Sequence, residues 1–297
     1  MNGQSQQAKG LLLSTIGGLA LTSDIPLIRL ADGEAWSILA ARSAITFVAA
    51  IAIWLVWRAI SPKVPALIPG LPGLAVAVLY GLGSITFITA VYSTSTANLV
   101  FILAFNTMFS AVLAWIFLGE RMRPATMLAM AAMIAGVAII VWDSIGTGNL
   151  FGDVMALCSA FFIASAITIT RASDREMGFT PLVGVIFPAL VALMFVADGG
   201  YRIDAPWWII LNGAIMMPLA FFFLGTAPRY IPGGEVAMFY LLETVLAPVW
   251  VWLIFAEKPS VNSLIGGSIL IVALVFHSLW QLYDSRRRRS VPEQLPL

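Results

Sequence analysis

The stretch that decides the fold runs from Glu235 to Glu257, EVAMFYLLETVLAPVWVWLIFAE. As a helix rising 1.5 Å per residue, it is long enough to cross the ~30 Å hydrocarbon core of a bilayer. Acidic residues mark its ends, and Glu243 sits close to its middle. A carboxylate at that depth is costly against lipid, so it is expected to face protein or water. The pattern echoes 137 residues earlier in Asn98–Glu120, NLVFILAFNTMFSAVLAWIFLGE. Sliding one stretch onto the other pairs Asn106 with Glu243, Thr107 with Thr244, Val112 with Val249, Trp115 with Trp252 and Glu120 with Glu257. Few positions are identical, but whole apolar spans fall into register with them. The chain reads as a duplicated membrane protein.

Composition agrees. Hydrophobic residues make up 60% of the chain and charged residues 10%, against ~25% charge in an ordinary soluble domain. A net charge of +1 gives no basic field for nucleic acid, so none is expected as a partner. The single cysteine, Cys158, excludes an intrachain disulfide framework and a cysteine metal cluster. The N-terminal apolar run has no convincing small-residue cleavage site and is expected to stay as a first helix.

Ten spans fit, at approximately 10–30, 35–57, 70–92, 96–118, 125–142, 151–171, 179–197, 206–227, 234–256 and 261–282. Backbone polar groups at membrane depth must be satisfied internally, so these runs are helices and the fold class is an all-α membrane bundle. With a cytoplasmic N-terminus, 12 of the 16 basic residues fall on the inner side: Lys9, Arg58, Lys63, Arg121, Arg123, Arg171, Arg175, Arg229 and Arg286–Arg289. Arg29, Arg202 and Lys258 fall outside, and Arg42 lies within the second span. Both termini are therefore expected in the cytoplasm, with the chain in a bacterial inner membrane and 283–297 a basic tail at its face. Five spans per half is odd, so the halves (1–142 and 151–282) cross in opposite senses. Residues 10–29 align with 152–171 at an offset of 142, glycine to glycine and arginine to arginine. Inverted repeats of this kind are a hallmark of secondary carriers, whose sites lie between the halves near the midplane.

Leu118-Gly119-Glu120-Arg121, followed by Gly136-Val137, resembles the closing motif of the EamA-type repeat of the drug/metabolite transporter superfamily. The motif returns as Ala256-Glu257-Lys258 and then Gly266, and each half departs by one glycine, at Ala129 and at Ala273. Leu242-Glu243-Thr244 resembles the family's Leu-Glu-Pro, with threonine for proline and Pro248 one turn later, and Gly152-Asp153 fits the start of a second repeat. The resemblance covers essentially the whole chain. It implies ten helices in two inverted five-helix repeats, a central cavity, and secondary transport with no cofactor, no metal and no enzymatic activity. Within the superfamily the chain looks most like bacterial amino acid exporters, including those for aromatic amino acids. A complete two-repeat carrier is expected to work as a monomer.

An amino acid in a low-dielectric cavity needs acceptors for its ammonium and donors for its carboxylate, since unpaired charges there cost several kcal/mol. Glu243, helped by Asn106, is the candidate acceptor, against a structural or protonated role for the same carboxyl. Arg42 is the candidate donor, with snorkelling to headgroups the favoured alternative. Helix N-termini near Ala97 and near Pro232-Gly233-Gly234 could add donors. Asp24 either lines an outer vestibule or pairs with Arg29 or Arg42, the pairing being favoured. Tyr80 and Tyr240 are placed in the cavity as stacking surfaces, whereas lipid contact explains most tryptophans. His277, the only histidine, is a candidate proton relay, though a lone histidine is more often structural. Pro188, Pro218, Pro228 and Pro248, with Gly81 and Gly83, mark where helices could bend.

Other classes fare worse. Metalloprotease, serine-hydrolase and nucleotide-binding motifs are missing from the sequence. A channel would call for rings of charge or a carbonyl filter. A nucleotide-sugar antiporter would want several cavity cations, and drug-like compounds stay open as cargo.

Overall fold

Long apolar runs leave helix as the only way to satisfy the backbone, and the computed structural model follows that rule over the residues it describes: 3–61, 64–119, 124–173, 175, 177–227, 230–231 and 233–289. The first half comprises α1 (Gly3–Thr22 and Asp24–Leu30), α2 (Ala35–Ile60), α3 (Gly70–Ser93), α4 (Thr96–Leu103 and Asn106–Leu118) and α5 (Pro124–Thr147). The second comprises α6 (Leu150–Ser173), α7 (Thr180–Gly184 and Ile186–Gly199), α8 (Pro206–Leu211, π-helical Asn212–Met216, then Met217–Thr226), α9 (Gly233–Phe255) and α10 (Val261–Arg289). Among the described residues, nine spans are long and apolar enough to cross a membrane. The remaining helix, α9, is 23 residues long and coincides with the expected ninth span. Large apolar side chains such as Leu71, Trp142 and Val272 face outward, as a lipid-facing surface requires.

Helix packing repeats the duplication. α3 packs on α6 as α8 packs on α1, α4 on α6 as α9 on α1, and α3 on α7 as α8 on α2. The equivalent helices α2 and α7, α4 and α9, and α5 and α10 pack on each other. Local detail follows the same exchange. Gly10 lies against Tyr230 and Ile231, where an added Cβ would come 2.6 Å from Ile231, and Gly152 lies against Ser93 and Thr94, where it would come 2.6 Å from the Thr94 amide. The 142 offset relates the two glycines and the 137 offset relates the two contact pairs. α5 and α10 cross backbone to backbone at Gly136 and Gly266, where a Cβ on Gly136 would come 2.7 Å from the Gly266 carbonyl.

Four helices are interrupted, three of them by proline. A proline lacks the N–H that would pair with the carbonyl four residues earlier. Pro26 would pair with Thr22, Pro188 with Gly184 and Pro218 with Ala214, and the breaks fall at Ser23, at Val185 and in the π turn Asn212–Met216. α4 breaks without proline at Ala104–Phe105, where the Thr107 hydroxyl donates to the Ala104 carbonyl at 3.0 Å. α3 runs as one helix through Gly81 and Gly83, and α9 as one helix through Pro248. Pro228 and Pro232 lie outside the described residues, as do Lys63, Glu120, Arg121, Arg123 and Arg229.

At one end of the bundle the halves are tied together. Arg29 of α1 pairs with Glu257 beyond α9, and the other Glu257 oxygen accepts from the Thr96 amide of α4 at 2.9 Å. Gly33 and Ile203 form an antiparallel bridge, flanked by Asp204 N to Asp32 O and Glu34 N to Arg202 O. Thr94 donates to Asp153 at 2.6 Å, and Asp143 accepts from Ser260 and Asn262 at 2.6 and 2.8 Å. We call this the clasped end.

Candidate functional site

The interruption of α1 presents Asp24 to the bundle interior, and the π turn of α8 presents Asn212 to the same place. Arg42, two turns into α2, lies between them. Its Nη2 donates to both oxygens of Asp24, at 3.0 and 2.8 Å, and its Nε donates to Asn212 Oδ1 at 3.1 Å. Asn212 Nδ2 closes the triangle by donating to Asp24 Oδ1 at 2.7 Å. The Met217 sulfur lies 3.3 Å from Nη2, and the guanidinium stands over the Phe87 ring at 5.8 Å. Arg42 is 8% exposed and Asp24 4%. Snorkelling is therefore corrected: a carboxylate and an amide inside the protein satisfy the guanidinium, so it has no need of headgroups. Asp24 takes Arg42 as partner, while Arg29 takes Glu257. A buried pair stabilises only when its remaining lone pairs and protons are satisfied, and Asn212 supplies much of that.

Asn212 was not singled out from the sequence. A signal was present, since an amide in the apolar run Trp207–Met217 just ahead of Pro218 must find a partner wherever the proline frees backbone. π bulges concentrate at functional sites because they re-aim a side chain at the expense of regular hydrogen bonding.

Glu243 sits on α9, three residues from Tyr240 and so on the same helix face. α9 packs on both pieces of α1, which puts Glu243 within electrostatic reach of Asp24 and Arg42. Tyr240 lies within electrostatic reach of Tyr80 of α3 and of Glu243. Five of the expected residues, Asp24, Arg42, Tyr80, Tyr240 and Glu243, thus come together from α1, α2, α3 and α9. Glu243 is part-exposed, and its carboxylate makes no hydrogen bond or ion pair with a described residue. Tyr80 is partly buried against Val76, Ala166 and Met177, and Tyr240 is 43% exposed. Asn106 opens the second piece of α4, half-buried, with its side-chain amide unbonded to any described residue.

Other expected residues lie elsewhere. His277 Nε2 stands 3.1 Å from Thr126 Oγ1 at the α5–α10 contact, and its ring stacks on Trp280. At the start of α4, Ser95 Oγ accepts from Asn98 N and Glu257 accepts from Thr96 N, at the clasped end. Trp115 and Trp252 face outward, each about half exposed, as lipid-facing side chains do. No group of three or more His, Cys, Asp or Glu capable of holding a metal occurs among the described residues.

A bundle of membrane-length helices in two halves that pack on each other in equivalent ways is that of a multi-pass membrane protein. The chain belongs to the EamA-like transporter family, whose model matches twice, over residues 8–142 and 150–279. It is 28% identical over 196 residues to an uncharacterized transporter of Pseudomonas aeruginosa. That alignment covers 63% of this chain and 63% of the relative's length. A crystal structure superposes with a TM-score of 0.63 over 92% of this chain and 98% of the other, at 15% identity, a likeness of fold alone.

Proposed function

We propose that the protein is a secondary carrier that exports amino acids, aromatic ones included, or related small amine-bearing metabolites, by rocking its halves about the site between them. The observation that carries this is Glu243, a carboxylate inside the bundle with no cation of a described residue bound to it. A membrane-embedded charge left without a partner is costly, and a cargo ammonium is the group that would compensate it. Tyr240, one turn from Glu243 on α9, and Tyr80, within reach of Tyr240, are assigned to supply faces for an apolar or aromatic body. Asn106, its repeat mate, is assigned to cargo hydrogen bonding as α4 and α9 move against each other. Asp24 and Arg42 are assigned to holding α1, α2 and α8 in register around the site. His277, tied to Thr126, is assigned to packing of α5 on α10.

Replacing Glu243 with Gln tests the assignment, because it keeps shape and removes charge. The variant is expected to insert and to purify as the parent does, and to lose at least ~90% of flux into liposomes, equivalent to about 1.4 kcal/mol or more of lost cargo stabilisation. Flux equal to the parent's would remove Glu243 from the transport site.

A further inference from the structure

The central site has three ionisable side chains of the acid or base class among the described residues, and their charges do not balance. Asp24 and Arg42 neutralise each other through two hydrogen bonds of 2.8 and 3.0 Å, and Asn212 takes the guanidinium Nε. Only Nη1 of Arg42 is left without a bond to a described residue. Glu243 is not part of that pairing, yet α9 holds it beside α1: a Cβ added on Gly18 would come 2.8 Å from the Phe239 carbonyl and 3.1 Å from Leu242, and Trp250 Nε1 donates to Thr22 at 3.2 Å. With the three groups ionised the site therefore carries one net negative charge, and the open face of that charge is Glu243.

Cargo charge follows from this balance. A cation brings the site to zero. A zwitterion leaves the excess in place and sets its own carboxylate against Asp24 and Glu243, with no free guanidinium face to receive it in bidentate fashion. In a medium of low effective dielectric these like-charge contacts weigh far more than they would in water. An anion makes the excess worse. We infer that the site between the halves selects monocationic amines, molecules with an ammonium and no free carboxylate, over the zwitterionic amino acids of the same skeleton. This rests on the site between the halves being the cargo site, and among the cargoes proposed above it ranks the amine-bearing metabolites, decarboxylated, esterified or amidated relatives of amino acids, ahead of the amino acids themselves.

Three ligands of one skeleton separate the alternatives: phenethylamine, phenylalanine and 3-phenylpropionate. Their affinities would be measured by calorimetry on the purified full-length protein in lipid nanodiscs. Phenethylamine is expected to bind roughly tenfold tighter than phenylalanine or better, with 3-phenylpropionate not binding. Glu243→Gln should abolish the amine's advantage. Asp24→Asn, which frees the guanidinium, should shift preference toward phenylalanine. Phenylalanine binding as tightly as the amine, amine binding indifferent to Glu243→Gln, or no binding by any of the three would each overturn the inference. Counterflow in liposomes keeps the two proposals apart. Amine binding without counterflow would sink the carrier and leave charge selection standing, whereas equal counterflow of amine and amino acid would do the reverse.

Discussion

Asp24, Arg42 and Asn212 are a case where removing one member costs more than removing the set. Asp24→Ala would leave the Arg42 guanidinium buried with only an amide for company, a change that costs about 3–5 kcal/mol in buried pairs. Replacing both charges together, as Asp24→Leu with Arg42→Met, removes the desolvated ions and is expected to recover most of that loss. Thermal unfolding in detergent measures it: a large drop in midpoint for the single change and a much smaller one for the double. Additive losses would show that the pair is not energetically coupled. Asn212→Ala is expected to cost about 1–3 kcal/mol, since two buried polar neighbours lose a partner at once. At this scale the sequence was only partly legible. The three polar residues are far apart in the chain, separated by 18 and 170 positions, and no local pattern states that they meet. Asp24 was expected to pair and does. Arg42 was read as facing headgroups because its position near a span end permits that, and nothing short of the fold brings Asn212 to its Nε.

At the scale of the element, the clearest mark of duplication is a backbone angle. Gly119 ends α4 with φ of 67°, and Ala256, 137 residues on, follows α9 with φ of 54°. Both are in the left-handed region that closes helices, where glycine is at ease and an alanine costs roughly 1 kcal/mol. Ala256→Gly is therefore expected to stabilise the protein by up to about 1 kcal/mol, raising the unfolding midpoint. A lower midpoint would mean that neighbouring contacts, and not the angle, set the stability there. The opposite change at the α5–α10 crossing should be severe. Gly136→Leu would drive a side chain into the Gly266 carbonyl, and loss of the folded, monodisperse species on size exclusion is expected. The spans were legible because apolar length is dictated by bilayer thickness, and the paired offsets gave the repeat. The break in α4 was not, because neither proline nor glycine marks it, and the threonine back-bond found there, from Thr107, is an option open to any threonine in a helix. The missing glycines at 129 and 273 are intelligible from the crossing, where Gly136 and Gly266 make the close contact and the alanines are simply buried.

For the molecule as a whole, the question is whether the clasped end opens. Arg29, Thr96 and Glu257 join α1, α4 and the end of α9 across the two halves, so any rocking motion that parts the halves there must break this link. In a background with Cys158 replaced by serine, Arg29→Cys with Glu257→Cys should be joined by a reducible bis-thiol reagent about as long as the Arg–Glu pair it replaces and stop flux, and reductant should restore it. Unchanged flux in the cross-linked protein would place the moving parts elsewhere.

The most direct measurement is counterflow: liposomes containing the purified protein, loaded with unlabelled phenethylamine or phenylalanine, and given a trace of the labelled solute outside. A carrier that alternates about a site between its halves predicts a transient internal accumulation of label above equilibrium, saturable and absent with Glu243→Gln. Label that only equilibrates, at a rate indifferent to the solute inside, would contradict the account and point to a pore.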